Sequence, residues 1–258
     1  MTENAIRIGL GSYAYFWRKE QWGIADMLRA TAARGIRLFQ ICDDERVAAL
    51  DEAGLRELRA LADDLGIELE LGTRGVDPAH LGRYLELAVA LRAPLVRSMV
   101  PREVGAVGAE PVLRAALPAF ADAGVTLALE TYEQLPTRDL VALVETIASP
   151  ALGICLDPAN CVAALESPAD VVAMCAPHVR DIHVKDAAFS RRDGWVGFTY
   201  SGAAAGTGQI PLDTVLAVAP DAARIVEHWL PWQGDAESTA SLEEDWTTAT
   251  LDYLKEHS

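Results

Sequence analysis

Short apolar runs alternate with amphipathic stretches from one end of the chain to the other. Runs at 6–11, 36–42, 67–71, 94–100, 125–130, 151–157, 178–185 and 223–227 have strand length and are rich in Leu, Ile and Val. Between and after them, apolar residues recur at helical spacing over 23–34, 51–65, 77–91, 110–123, 137–148, 168–175, 211–218 and 241–255. Gly35 and Gly66 stand where helices end, and Asp77 followed by Pro78 reads as a helix start. Pro118 inside the 110–123 stretch predicts a kink or break. The polar, glycine-rich segment 186–209 reads as a long loop, and 204–208 within it as a flexible stretch whose backbone N–H groups can take an anion.

Strand–helix alternation of this kind implies parallel strands with helices outside them. Eight such units in 258 residues, with no visible linker, predict an α/β fold: a single (β/α)8 TIM barrel over 1–258. A doubly wound sheet is the main alternative, but it usually has fewer strands at this length. No G-x-G-x-x-G follows the first strand, which removes the usual dinucleotide-binding reading.

Four of the runs end in a side chain that can bind a metal. They deliver Glu130, Asp157, His183 and Glu227. In this fold the strand C-termini form the active-site face, so the four meet at one mouth. Three carboxylates and one imidazole suit a hard divalent cation, with Mn2+, Mg2+, Co2+ or Fe2+ ahead of a thiolate-preferring metal. Any one of these residues taken alone also reads as a loop cap, half of a salt bridge or a hydrogen-bonded core histidine. Lys185 lies two residues past His183, so strand alternation turns both to the same side. There it can hold a substrate oxygen or offset a developing enolate charge; the competing reading is a rim lysine paired with Asp181 or Asp186. Arg74 and Arg97 follow the third and fourth strands and can bind a carboxylate or a hydroxyl, or close surface ion pairs. Glu133 and Asn160 lie three residues beyond strand-end carboxylates and are candidate substrate contacts. Tyr13, Phe16, Trp17, Trp195, Phe198 and Trp229 fall in loops on the same face, where aromatics can wall a pocket or simply pack.

Composition narrows the partners. The formal net charge is −16, and an acidic surface repels nucleic acid phosphates and anionic lipid. No window approaches a membrane span of ~20 apolar residues. The N-terminal Met-Thr-Glu-Asn-Ala-Ile-Arg lacks the layout of a signal peptide, so a cytoplasmic location is expected. Cys42, Cys155, Cys161 and Cys175 form no C-x-x-C pair, and Cys42 and Cys155 sit in apolar runs as expected of buried free thiols.

Several segments resemble a known family. Leu-Glu-Thr-Tyr-Glu (129–133), Gly-Ile-Cys-Leu-Asp-Pro-Ala-Asn (153–160), Ile-His-Val-Lys-Asp (182–186) and Ala-Gly-Thr-Gly-Gln-Ile (205–210) look like the sugar phosphate isomerase/epimerase superfamily, with its xylose isomerase-like TIM barrel. Gly-Leu-Gly-Ser-Tyr (9–13), Leu-Gly-Thr-Arg-Gly (71–75) and Gly-Phe-Thr-Tyr (197–200) resemble its 3-oxo-isoapionate decarboxylase branch. The resemblance implies one divalent metal, Mn2+ first and Mg2+ or Co2+ next, held by Glu130, Asp157, His183 and Glu227. It implies proton exchange by Glu130 and Glu227, a small sugar or sugar acid as substrate, and a homodimer. Ketose 3-epimerases of this family carry a histidine where this chain has Asn160, which weakens the epimerase assignment and leaves the metal site intact.

The expected function is therefore a metal-dependent isomerase or epimerase acting on a keto sugar through an enediolate. A decarboxylase of a 3-keto sugar acid reaches the same enolate by losing CO2, and a non-catalytic sugar-binding barrel is the alternative of a different class. Nuclease barrels related to this fold need several zinc ions and a basic groove, which the charge of −16 and the five histidines do not offer.

Overall fold

A computed structural model describes residues 6–257. The chain begins with β1 (Ile8–Gly11), α1 (Ile24–Ala33), β2 (Leu38–Cys42), α2 (Glu45–Ala48), α3 (Glu52–Leu65) and β3 (Glu68–Gly72). It continues through α4 (Pro78–Leu91), β4 (Leu95–Ser98), α5 (Gly105–Asp122), β5 (Thr126–Glu130), α6 (Thr137–Ile147), β6 (Leu152–Leu156), α7 (Pro158–Cys161) and α8 (Pro168–Cys175). The last elements are β7 (Val179–Val184), β8 (Asp186–Arg191), β9 (Phe198–Ala203), α9 (Leu212–Ala217), β10 (Ala223–Val226) and α10 (Ala236–Glu256). Eight strands close in the order β1-β10-β7-β6-β5-β4-β3-β2, all pairs parallel, while β8 and β9 form a separate antiparallel pair. This is the expected (β/α)8 barrel.

Alternation along each strand divides the side chains between two compartments. One set faces the helices and joins the main apolar core, with Leu10, Phe39, Ile41, Leu69, Leu71, Val96, Leu127, Leu129, Ile154 and Ile182 among its strand members. The other set faces the barrel axis. Part of it is apolar: Leu38, Ala223 and Ile225 form one cluster, and Leu95, Ala128 and Cys155 another. The strands also carry Gln40, Glu70, Arg97, Glu130, Asp181 and His183, all buried. Glycines make room at two levels. A Cβ on Gly9 would lie 2.7 Å from Leu38 Cγ, and one on Gly11 3.2 Å from Glu227 Oε1.

Local chemistry sets the helix ends. Asp77 caps α4 by accepting from the backbone N–H groups of Ala79 and His80, with Pro78 at the first turn. Gly66 ends α3 in the left-handed conformation. Two expectations fail at α5. It begins at Gly105, ahead of the expected 110, and runs through both Pro111 and Pro118 without a break. The final helix begins at Ala236 rather than 241, because Asp235 accepts from Ser238 N and starts it earlier. All four cysteines are buried and free. No described helix is long and apolar enough to cross a membrane.

The largest departure is in 186–209, read as an open loop. Asp186 pairs with Ala203 and Arg191 with Phe198, so most of the segment is a hairpin. Nor is 204–208 a free anion nest. Its Gly208 N–H donates to Asp186 Oδ2 at 2.8 Å and its Thr207 N–H to the Ala204 carbonyl at 3.0 Å, and Asp186 also accepts from Ile210 N just beyond it at 3.2 Å. A Cβ on Gly208 would lie 2.0 Å from Asp186 Oδ1, so this carboxylate packs directly against the turn.

Candidate metal and substrate site

β5, β6, β7 and β10 bring Glu130, Asp157, His183 and Glu227 to one point at the barrel mouth. His183 Nδ1 lies 3.3 Å from Glu130 Oε1, 3.5 Å from Glu227 Oε2 and 4.0 Å from Asp157 Oδ2. One ligand atom each from Glu130, Asp157 and His183 fall within 4.8 Å of one another.

The residues present fit a divalent cation. His183 Nδ1 and Glu227 Oε1 are buried and make no hydrogen bond, which is costly unless something takes them, and Glu130 Oε2 has an ion pair with Arg97 Nε at 3.1 Å but no hydrogen bond. The far side of the imidazole is already occupied. Gln40 Nε2 donates to Asp181 Oδ2 at 2.7 Å and to Glu70 Oε2 at 3.2 Å, which turns Gln40 Oε1 toward His183. His183 Nε2 donates to that oxygen at 2.9 Å, so Nδ1 is the nitrogen left facing the carboxylates. Burial alone would depress the imidazolium, but Glu227 and Glu130 outweigh it and push its pKa up to about 9. A cation among the carboxylates would take the place of that proton. Two other groupings contain a thiol, Cys42 with His183 and Glu227, and Cys155 with Asp181 and His183. Burial pushes both thiols well above their usual range, so neither readily supplies a thiolate.

Basic residues surround this cluster. Lys185 faces the cavity, donating to Asp157 Oδ2 at 2.7 Å and lying 3.1 Å from Glu227 Oε2. Its partners are therefore neither Asp181 nor Asp186. Burial opposes its charge, but Asp157 and Glu227 outweigh that and raise its pKa. Arg97 is fully buried, with Nε 3.1 Å from Glu130 Oε2 and Nη1 donating to Asp43 Oδ1 and the Thr73 carbonyl. Burial likewise opposes ionisation of Glu130, yet Arg97 and His183 hold its carboxyl well below the usual range. Asn160 Nδ2 donates to Glu130 Oε1 at 2.9 Å.

Above the cluster is a cavity of about 180 Å³. Tyr13, Arg74, Arg97, Asn160, Lys185 and Trp229 line it together with Glu130 and Glu227. Lys185 Nζ stands 4.7 Å from the Trp229 ring centre. Asp43, Met99 and Tyr132 also line it and were not anticipated. Five residues expected at this face are not among its walls. Glu133 is half-buried, and its backbone carbonyl accepts from Arg102 Nη2 at 3.4 Å, while its neighbour Tyr132 lines the cavity. Phe198 starts β9 near the hairpin tip, 58 % exposed and stacked under Arg191, and Trp195 is exposed beside it. Trp17 is held away by its indole N–H donating to the Leu230 carbonyl, and Phe16 lines an adjacent cavity. Gln40 had one signal in the sequence: an amide inside the apolar run Leu-Phe-Gln-Ile-Cys.

Comparison with known proteins agrees with this fold. The family profile described as "Xylose isomerase-like TIM barrel" matches residues 28–256. The chain is 49 % identical to a protein of Pectobacterium atrosepticum named 3-oxo-isoapionate decarboxylase, over 96 % of this chain and 95 % of that one. Its fold is similar to that of D-psicose 3-epimerase from Clostridium cellulolyticum H10, solved with D-tagatose: TM-score 0.75, 14 % identity, 97 % and 99 % of the two chains covered. It is also similar to a xylose isomerase-like barrel from Mycobacterium smegmatis solved with magnesium: TM-score 0.68, 17 % identity, 87 % of each chain covered. From the closed barrel and these matches, the chain belongs to the xylose isomerase-like TIM-barrel family.

Proposed function

We propose that this chain is a divalent-metal-dependent decarboxylase of a 3-keto sugar acid, the chemistry for which its 49 % identical relative is named. Glu130, Asp157, His183 and Glu227 would hold the metal, with Mn2+ preferred and Mg2+ or Co2+ accepted. When bound, the metal acts as a Lewis acid toward the substrate's keto oxygen.

The observation that carries the reading is the state of Glu130. Epimerisation needs two groups that trade protons with one carbon from opposite faces. Glu130 is a poor candidate for one of them: Arg97 lies 3.1 Å away and Asn160 donates to it, and both stabilise its anion, which makes it a weak base that does not readily carry a proton back to carbon. Decarboxylation makes no such demand. The bond between the carboxylate and the α-carbon breaks, CO2 departs, and the electron pair passes into the enolate of the neighbouring ketone. One proton then returns to carbon. Lys185, charged and facing the cavity, offers N–H donors to the oxygen where charge develops. Glu227, 3.1 Å from Lys185, is placed to take part in that proton return. The isomerase or epimerase reading uses the same ligands, with Glu130 and Glu227 exchanging protons, and draws on the fold shared with the epimerases.

Carbon NMR separates the readings. Magnesium-loaded enzyme is incubated in D2O with 3-oxo-isoapionate labelled with ¹³C at the carboxyl. The expected result is labelled CO2 and bicarbonate, with one deuteron in the ketose product. Retained carboxyl with deuterium exchange selects isomerisation or epimerisation instead, and unchanged substrate selects a binding protein.

A further inference from the structure

We propose that Arg74 is the seat of the substrate's carboxylate, a deepening that rests on the decarboxylase reading. Three cations border the cavity, and they differ in the donors they have left. A guanidinium has five N–H groups in a fixed fork. Arg97 turns Nη1 to Asp43 and the Thr73 carbonyl, Nη2 to Asp43, and Nε toward Glu130. Lys185 gives two of its three N–H groups to Asp157 and Glu227, and the one left cannot take a carboxylate bidentately. Arg74 uses only its inner edge: Nε donates to Asp43 Oδ2 at 3.0 Å, and Nη2 to the Tyr13 hydroxyl at 2.8 Å. Both Nη1 protons and one on Nη2 have no partner among the described residues. That outer edge is the pair of parallel donors a carboxylate takes bidentately.

The support around Arg74 is rigid where it must be. Tyr13 OH accepts from Arg74 and donates to Asp43 Oδ2 at 3.1 Å, closing a triangle that fixes the guanidinium plane. Asp43 is in turn held by Arg97, and its φ of 49° is a left-handed conformation that a non-glycine residue adopts only when its surroundings hold it there. The Arg74 side chain is nonetheless 57 % exposed, so its free edge meets incoming solute without first breaking a buried pair. It faces the same cavity as Lys185 and Glu227. A sugar acid seated there presents its carboxylate at the rim and its keto end to the four strand-end ligands.

Calorimetry with two four-carbon probes tests this: D-erythronate, which carries the carboxylate, and erythritol, which does not. Magnesium-loaded wild-type protein should bind erythronate at least about tenfold more tightly than erythritol. Arg74→Met should bring the two within about twofold by weakening erythronate alone, with the bound magnesium unchanged by elemental analysis. Arg74→Lys keeps the charge but loses the fork, and should fall between. If Arg74→Met keeps the preference, or wild type has none, the carboxylate is held elsewhere and the assignment is overturned. If wild type releases no CO2 from 3-oxo-isoapionate yet Arg74→Met abolishes the preference, the seat stands and the decarboxylase reading falls.

Discussion

Gln40 decides how His183 is presented. Its amide is read from three sides, by Asp181, Glu70 and His183, and only one orientation satisfies all of them. Partners of this kind are costly to lose because they set the ligand's tautomer and ring angle. Gln40→Leu should therefore weaken divalent-cation binding by about 10- to 100-fold, measured by calorimetry with Mn2+. Unchanged affinity would mean that the imidazole is oriented by something else. That Glu130, Asp157, His183 and Glu227 come together was legible in the sequence, because each follows an apolar run and the fold assigns that position a direction. Gln40 and Asp43 were not, since their roles depend on partners such as Asp181, 141 residues away, and Arg97, 54 residues away. Glu133 is not among the residues that line the cavity, and spacing from a strand end does not say which side of a turn a residue takes.

The β8–β9 hairpin is the element that the hydrophobic pattern hid. Most of its residues are exposed or half-buried, so neither strand shows the apolar–polar alternation by which a strand is recognised. It nevertheless braces Trp229, a residue that lines the mouth. Tyr200 OH donates to the Ala159 carbonyl at 3.0 Å and its ring meets Trp229 edge-on, while Gly202 N donates to the Trp229 carbonyl. A Cβ on Gly202 would lie 2.5 Å from that carbonyl oxygen, and backbone cannot step aside as a flexible side chain can. Gly202→Ala should push the hairpin off Trp229 and cost about 1–3 kcal/mol, read by thermal or urea unfolding, with a larger loss in substrate affinity than in bound metal. A variant as stable as wild type with full affinity would show that the hairpin does not shape the site. The barrel helices were easier to read than the hairpin, because caps such as Asp77-Pro78 and Gly66 act locally and need no tertiary partner.

Across the whole molecule, the polar axis of the barrel runs deeper than the mouth. Burial and the neighbouring Asp181 push Glu70, up from an ordinary 4.5, to about 8. Between those two pH values the folded chain keeps a proton that the unfolded chain releases, so this group makes stability fall as pH rises. Below the lower value both states are protonated and the effect vanishes. Glu70→Gln keeps the shape without the charge. It should raise the melting temperature relative to wild type at pH 9 and change it little at pH 4, as a pH series of thermal melts would show; an equal shift at both would point to packing instead. The eight-fold alternation made the barrel and its direction readable from sequence, and direction alone placed the four ligands together. The polar axis was not readable, because a carboxylate inside a strand looks the same as one on its solvent face until the strand is placed.

The most direct test of the account is a crystal structure of the manganese-loaded protein with an anomalous difference map. One strong peak bonded to Glu130, Asp157, His183 Nδ1 and Glu227, with Gln40 still on His183 Nε2, is the predicted result. No peak at the mouth, or a peak seated on Cys155 and Asp181 instead, would contradict it.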